Sequence, residues 1–178
     1  MPQEIEMIKP DLNLLRMDNV SNPYFEKVNV LHGLDQLCQD IGLNKDSVVL
    51  EIGCFNGIST SLFAYYAKEV HAVDIWFSPQ MNSNVIPNYN NIKFIQGNSA
   101  NILPTLPDNY FDMIYIDGDH SYEAVKNDIT LSISKLKSDG YLCGHDYDEH
   151  IKNGVFRAVN EIFGKPTKVY EDQSWRVK

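Results

Sequence analysis

Apolar positions along the chain change period in an orderly way. Short continuous apolar runs at residues 48–52, 70–74, 92–95, 113–116 and 140–144 have the length of strands buried on both faces. Between them the spacing changes to steps of three and four, the period of a helix face. Leu31, Leu34, Cys38 and Ile41 mark such a face over 27–41, with Gly42 as its stop, and Ile58, Leu62 and Tyr65 mark one over 58–67. A short helix over 99–103 should end near Pro104. After Ser121, a cap candidate, Tyr122, Val125, Ile129, Ile133 and Leu136 predict a long helix, and Val155, Val159 and Ile162 another over 155–163. Runs at 167–170 and 174–177 lie close enough to form a hairpin.

Alternating strands and helices that finish in a hairpin predict one α/β domain. Its sheet should be mostly parallel and seven-stranded, with helices on both faces and an antiparallel strand near the C-terminus. The chain has 178 residues, enough for one sizeable core, and 43% are hydrophobic. Residues 1–26, with Pro2, Pro10 and Pro23, read as an arm that packs or frays, and 27–178 as the domain.

The net charge of −9, without any Lys or Arg block, argues against nucleic acid as a partner and for a small neutral or cationic molecule. No apolar run reaches membrane-spanning length and the N-terminus lacks a secretion signal, so no membrane partner is expected and the cytoplasm is the default compartment. Cys38, Cys54 and Cys143 read as buried free thiols, and His32, His71 and His150 as surface or incidental. The ten tyrosines and eight phenylalanines follow core-like periods and do not by themselves signal an aromatic substrate.

In open α/β sheets, ligands sit beyond the carboxyl ends of the strands. Here the first strand runs into Glu51-Ile52-Gly53-Cys54-Phe55-Asn56-Gly57 and a helix follows at once. Gly53 and Gly57 should let the turn approach a ligand. Phe55 and Ile58 occupy positions that a dinucleotide fingerprint reserves for glycine, which disfavours an NAD-linked oxidoreductase. Asp74, about 20 residues after the glycine turn, can accept from both ribose hydroxyls. Glu51 suits a cationic amino group, while Ser59 and the helix N-terminus suit a carboxylate. Ribose, ammonium and carboxylate together describe S-adenosyl-L-methionine.

The fourth strand delivers Asp117-Gly118-Asp119-His120-Ser121-Tyr122 to the same edge, and the fifth delivers His145 and Asp146. Neighbouring carboxylates such as Asp117 and Asp146 repel unless one takes up a proton or a cation lies between them, and a divalent ion would remove the conflict. His120 titrates near neutrality and can take a hydroxyl proton; its alternative is to cap the following helix beside Ser121.

VLEIGCFNGIST, VHAVDIW, QGNSANILPTLP, FDMIYIDGDHSY and GYLCGHDY occur in the order seen in class I methyltransferases, and residues 48–159 resemble the bacterial macrocin and catechol O-methyltransferase type. The resemblance implies a Rossmann-like domain that transfers a methyl group to a small-molecule hydroxyl. It implies that Glu51, Gly53, Phe55, Gly57, Ser59 and Asp117 line the methionine end, that Asp74 holds the ribose, and that Asn98 and Ser99 meet the adenine edge. Ile75, with Trp76, would flank the base. The metal-dependent relatives place ligands at positions matching Asp117, His145 and Asp146; His145 stands where many carry an acid, which opens Mn2+, Zn2+ or no metal beside Mg2+. His120 matches a lysine used as general base, with Asp117 and Asp146 positioning the acceptor. Three alternatives stay open: methyl transfer to nitrogen, which needs no metal, a non-catalytic nucleoside-binding module, and a homodimer whose second subunit completes the acceptor site. The arm through Tyr24 and Phe25, the loop 76–91 and the loop 147–153 are candidate walls of that site, and the polar stretch 78–91 is a candidate closing loop.

Overall fold

A computed structural model describes residues 7–10, 12 and 30–178. Five parallel strands come first: β1 (Val48–Ile52), β2 (Glu69–Asp74), β3 (Ile92–Gln96), β4 (Phe111–Ile116) and β5 (Leu136–Gly144). The hairpin of β6 (Lys168–Val169) and β7 (Trp175–Val177) adds to β5 through an antiparallel β5–β7 pairing. The order is β3-β2-β1-β4-β5-β7-β6, so the chain reverses direction across the sheet between β1 and β4. That switch point opens a crevice at the carboxyl ends of β1 and β4.

Strand alternation sorts the core into two layers. Val49, Met113, Tyr115 and Cys143 face α1 (Val30–Asp40) and α2 (Ile58–Tyr66). Leu50, Ile52, Ile114, Ile116 and Leu142 face α4 (Tyr122–Ser132) and α5 (Gly154–Phe163), with the short α3 (Ser99–Ile102) beside them. Full burial of such side chains contributes about 1.5–3 kcal/mol each. All three cysteines are buried and free. Gly42 ends α1 at φ 69°, with Leu43 N–H returning to Cys38 O at 2.9 Å.

Several expectations need correction. Leu136 does not continue α4. The helix ends at Ser132, Ile133 is 54% exposed, and Leu136 opens β5 opposite Phe111. The chain is pulled into the sheet there because Asn109 and Tyr110 N–H donate to Ser134 and Lys135 O, while Lys135 Nζ reaches Asp108 at 2.6 Å. His71 is buried rather than superficial, paired with Glu69 and edge-on to Phe111. The stretch 78–91, expected as a polar closing loop, is partly helical and anchored: a π turn over Met81–Val85 sends Met81 and Val85 into the core, where Tyr89 joins them. Tyr89 Oη donates to Ile8 O, and Lys9 Nζ lies 2.9 Å from Asp35, so the described part of the arm packs on the domain. Tyr24, Phe25 and the predicted helix start at 27–29 lie outside the described residues. Among the described residues, no helix is long and apolar enough to cross a membrane.

Candidate active site

The β1–α2 turn is shaped by the rest of the chain. Gly53 has φ 86°, and a Cβ there would lie 2.2 Å from Asp117 O; at Gly57, φ 81°, it would lie 2.3 Å from Met81 Sδ. Both glycines are thus required by their own backbone and by neighbouring segments, whereas the sequence suggested that they make room for a ligand. Phe55 also has positive φ, 42°. Its N–H donates to Asp74 Oδ2 at 2.9 Å, and Trp76 N–H donates to Oδ1 at 3.0 Å. Asp74 therefore fastens the turn to the end of β2, with further lone pairs on each oxygen. Ile75 and Trp76 are exposed beside it, and the rings of Phe55 and Trp76 lie 5.9 Å apart.

Glu51 is fully buried on the α2 side of β1. Its carboxyl group accepts from Ser59 Oγ and, at 2.5 Å, from Thr60 Oγ1. Burial outweighs these hydrogen bonds, and nearby Asp117 and Asp74 add repulsion, raising its pKa from 4.5 to about 8. The Ser59 hydroxyl expected for a ligand carboxylate is committed to Glu51. Thr60, the second donor to Glu51, was not singled out from the sequence, because the turn between strand and helix sets which helix face meets the strand. Asn98 caps α3, accepting from Ala100 N–H at 2.9 Å, and Ser99 meets buried Asp128. Neither residue is brought into the bay described next.

That bay lies between α1, the β1–α2 turn and the ends of β4 and β5, with Leu31, Leu34, Phe55, Tyr115, Asp117 and His145 among its walls. At its rim His120 Nε2 stands 3.0 Å from Asp146 Oδ2 and 3.4 Å from Asp117 Oδ1. The imidazole thus bridges the two strand ends. Ser121, the cap candidate, makes no side-chain hydrogen bond to α4, and the His120 Nε2 that could have capped the helix instead faces the two carboxylates. The hydrogen bond that the His120 N–H donates to Asp117, reinforced by the charge of Asp146, raises the His120 pKa above 6.5 despite partial burial. His145 lies deeper, with Nδ1 3.3 Å from Asp146 Oδ1 and 3.8 Å from Asp117 Oδ1. Burial opposes its charge, but Asp146, Asp117 and Asp172 outweigh this and raise it to about 9. Behind it, Ser174 Oγ donates to Asp172 and so receives the Tyr115 hydroxyl at 2.9 Å. No sequence motif flagged that buried chain.

Of the expected ligand set Asp117, His145 and Asp146, the structure brings all three to one edge. The tighter convergence, however, is Asp117, His120 and Asp146, whose ligand-type atoms all lie within 4.8 Å of one another. Two carboxylates and an imidazole on one rim can hold a proton, position a hydroxyl, or ligate a divalent ion.

Residues 50–147 match the model of a methyltransferase domain. The chain belongs to that methyltransferase family. An uncharacterized protein of Acanthamoeba polyphaga mimivirus is 33% identical over 134 residues, covering 66% of this chain, which itself spans 59% of that relative. Among solved structures, a precorrin 8w decarboxylase of Methanobacterium thermoautotrophicum aligns with TM-score 0.61 and 18% identity, covering 88% of this chain and 81% of that one. A candidate methyltransferase of Streptococcus mutans in complex with S-adenosylhomocysteine aligns with TM-score 0.60 and 16% identity, over 79% and 93% of the two chains. At such identities the likeness establishes the Rossmann-like fold, and a decarboxylase among these neighbours illustrates that fold alone does not define the reaction.

Proposed function

We propose that this methyltransferase-family chain uses S-adenosylmethionine to methylate a hydroxyl group of a small molecule, with His120 as general base. The observation that carries the reading is the His120 imidazole held between Asp117 and Asp146 at the rim of the bay. When bound, S-adenosylmethionine supplies an electrophilic methyl on sulfonium sulfur. Asp74 keeps lone pairs for ribose hydroxyls after taking its two backbone N–H groups. Glu51 lies buried near neutrality and ionises readily once a cationic amino group approaches. Asn98 retains its amide N–H groups for an adenine edge, since only its oxygen caps α3.

His120 in its neutral form keeps its Nε2–H on Asp146 and Asp117 and takes the acceptor's hydroxyl proton onto Nδ1, and the two carboxylates stabilise the imidazolium that results. Its raised pKa makes it a stronger acceptor and moves the rising limb of the pH–rate profile above 6.5. The acid-rich rim and the net charge of −9 favour a neutral or cationic acceptor over a polyanion. Calorimetry with S-adenosylhomocysteine, followed by a methyl-transfer screen over hydroxyl-bearing acceptors, tests the reading. Binding with turnover supports it, binding without turnover on any acceptor supports a nucleoside-binding module, and absence of binding ends both.

The convergence of Asp117, His120 and Asp146 favours a second reading, in which a divalent ion occupies the rim. The imidazole suits Mn2+ or Zn2+ better than Mg2+. His120 would then be a ligand and unable to accept the proton. Activity lost to EDTA and restored by Mn2+ or Mg2+ supports this reading, and indifference to chelator leaves His120 as the base.

A further inference from the structure

The two segments that carry the reactive side chains meet at one place outside the bay, the first turn of α5. Asn153 Oδ1 accepts from Phe156 N–H at 2.9 Å and caps that helix. Its Nδ2 donates to Asp146 O at 2.7 Å. Asp146 has φ 59°, a left-handed conformation that is uncommon outside glycine, though aspartate enters it more readily than most residues. One step along, Gly154 touches the other segment: a Cβ there would lie 2.2 Å from His120 O, 2.5 Å from Tyr122 N and 2.8 Å from Ser121 C. Gly154 has no positive φ to explain the choice of glycine. Its hydrogen atom is what allows the His120 backbone to seat on the helix start.

Resting on the reading of His120 and Asp146 given above, we propose that Asn153 and Gly154 are positioning residues, forming a clamp that sets the His120–Asp146 pair in register. Asn153 fixes the backbone that aims the Asp146 carboxylate. Gly154 fixes how closely the His120 backbone approaches from β4. The 3.0 Å contact between the two side chains draws on both, because they enter from different strands. Neither residue needs to touch the acceptor or the nucleoside.

Asn153→Asp separates the two jobs of the side chain. A carboxylate still caps α5, but it has no proton for Asp146 O. Gly154→Ala displaces the His120 segment instead. The expected result for Asn153→Asp is a fall in kcat of about tenfold to a hundredfold, the scale of a misplaced catalytic group, with the Kd for S-adenosylhomocysteine within about twofold of the parent. The His120 Nε2 nitrogen-15 chemical shift at a fixed pH should change in both variants, reporting the lost pairing with Asp146. Unchanged kcat together with an unchanged His120 resonance overturns the clamp. So does a loss of activity matched by loss of nucleoside binding and of melting temperature, which would signify general damage. If the parent protein itself binds no S-adenosylhomocysteine, the functional reading fails, and the His120 resonance in Asn153→Asp still decides the clamp. If Gly154→Ala does not fold, Asn153→Asp alone carries the test.

Discussion

The two halves of the carboxyl edge handle their polar groups differently. Around β1 and β2 the chain satisfies them itself: Glu51 is held by Ser59 and Thr60, and Asp74 by the N–H groups of Phe55 and Trp76. Around β4 and β5 the groups crowd one another. His120, His145, Asp117 and Asp146 make contacts of 3.0–3.8 Å, and neither ring nitrogen of His145 makes a hydrogen bond of good geometry. The first half is a mould whose shape exists before any ligand arrives. The second concentrates charge that a proton, an acceptor hydroxyl or a cation must complete, the condition expected where chemistry occurs.

The sharpest way to break this contrast is to remove the centre of the crowded half. His120→Ala should lower methyl-transfer kcat by about 10²–10⁴, the usual range for a general base, and leave S-adenosylhomocysteine affinity within about twofold. Full turnover of His120→Ala on an identified acceptor would refute the base assignment.

A second experiment probes the hidden tension in the satisfied half. Glu51 in the folded chain has its pKa raised to about 8, so between pH 4.5 and 8 the native state binds more protons than the unfolded one. Stability is then fully present below pH 4.5 and declines as pH rises toward 8. Glu51→Gln should abolish that decline and be the more stable protein at pH 8, by on the order of a few kcal/mol given roughly 1.4 kcal/mol per pKa unit. Thermal melts of the two proteins at pH 5 and pH 8 measure it. Parallel melting curves would show that Glu51 is not buried as a neutral acid.

The satisfied half was also the more legible one. The spacing from Glu51 to Asp74 and the glycine turn could be read directly, because parallel strands run as continuous apolar blocks and their ends fall at countable positions. The reason for the glycines could not: Asp117 O and Met81 Sδ, which forbid a Cβ at Gly53 and Gly57, come from segments 64 and 24 residues away in the sequence. On the crowded half, the residues could be listed but not their pairing. His145 looked like a ligand and His120 like a base or a cap, yet the ring that bridges Asp117 and Asp146 is that of His120. Side-chain direction at the end of a strand is set by tertiary contacts such as Asn153 with Asp146, which no local period encodes. Leu136 failed for the same reason, since pairing with Phe111 overrode a helical spacing.

Asp74 allows a smaller cut. Its carboxylate serves both the turn and, on the proposed reading, the ribose, so Asp74→Asn should weaken S-adenosylhomocysteine binding by about tenfold, the scale of one charge-assisted hydrogen bond of 1.5 kcal/mol or so. kcat at saturating nucleoside should stay close to the parent value. A reversed pattern, with kcat lost and affinity kept, would move Asp74 from the mould to the chemistry and erase the distinction between the halves.

The smallest effect is expected at the two helix starts that frame the crowded half, and it separates a residue that resembles a cap from one that acts as a cap. Ser121 and Asn153 both occupy N-cap positions with extended backbone. Only Asn153 accepts from its helix, through Phe156 N–H; around Ser121 the backbone N–H is instead taken by Asp119 Oδ1. Ser121→Ala should therefore change stability by less than about 0.5 kcal/mol, whereas loss of a working cap costs about 1 kcal/mol. Urea denaturation of Ser121→Ala reads this out. A loss near 1 kcal/mol would mean that the serine hydroxyl caps α4 in solution, and that the ordering of the His120 segment depends on its own helix as well as on α5.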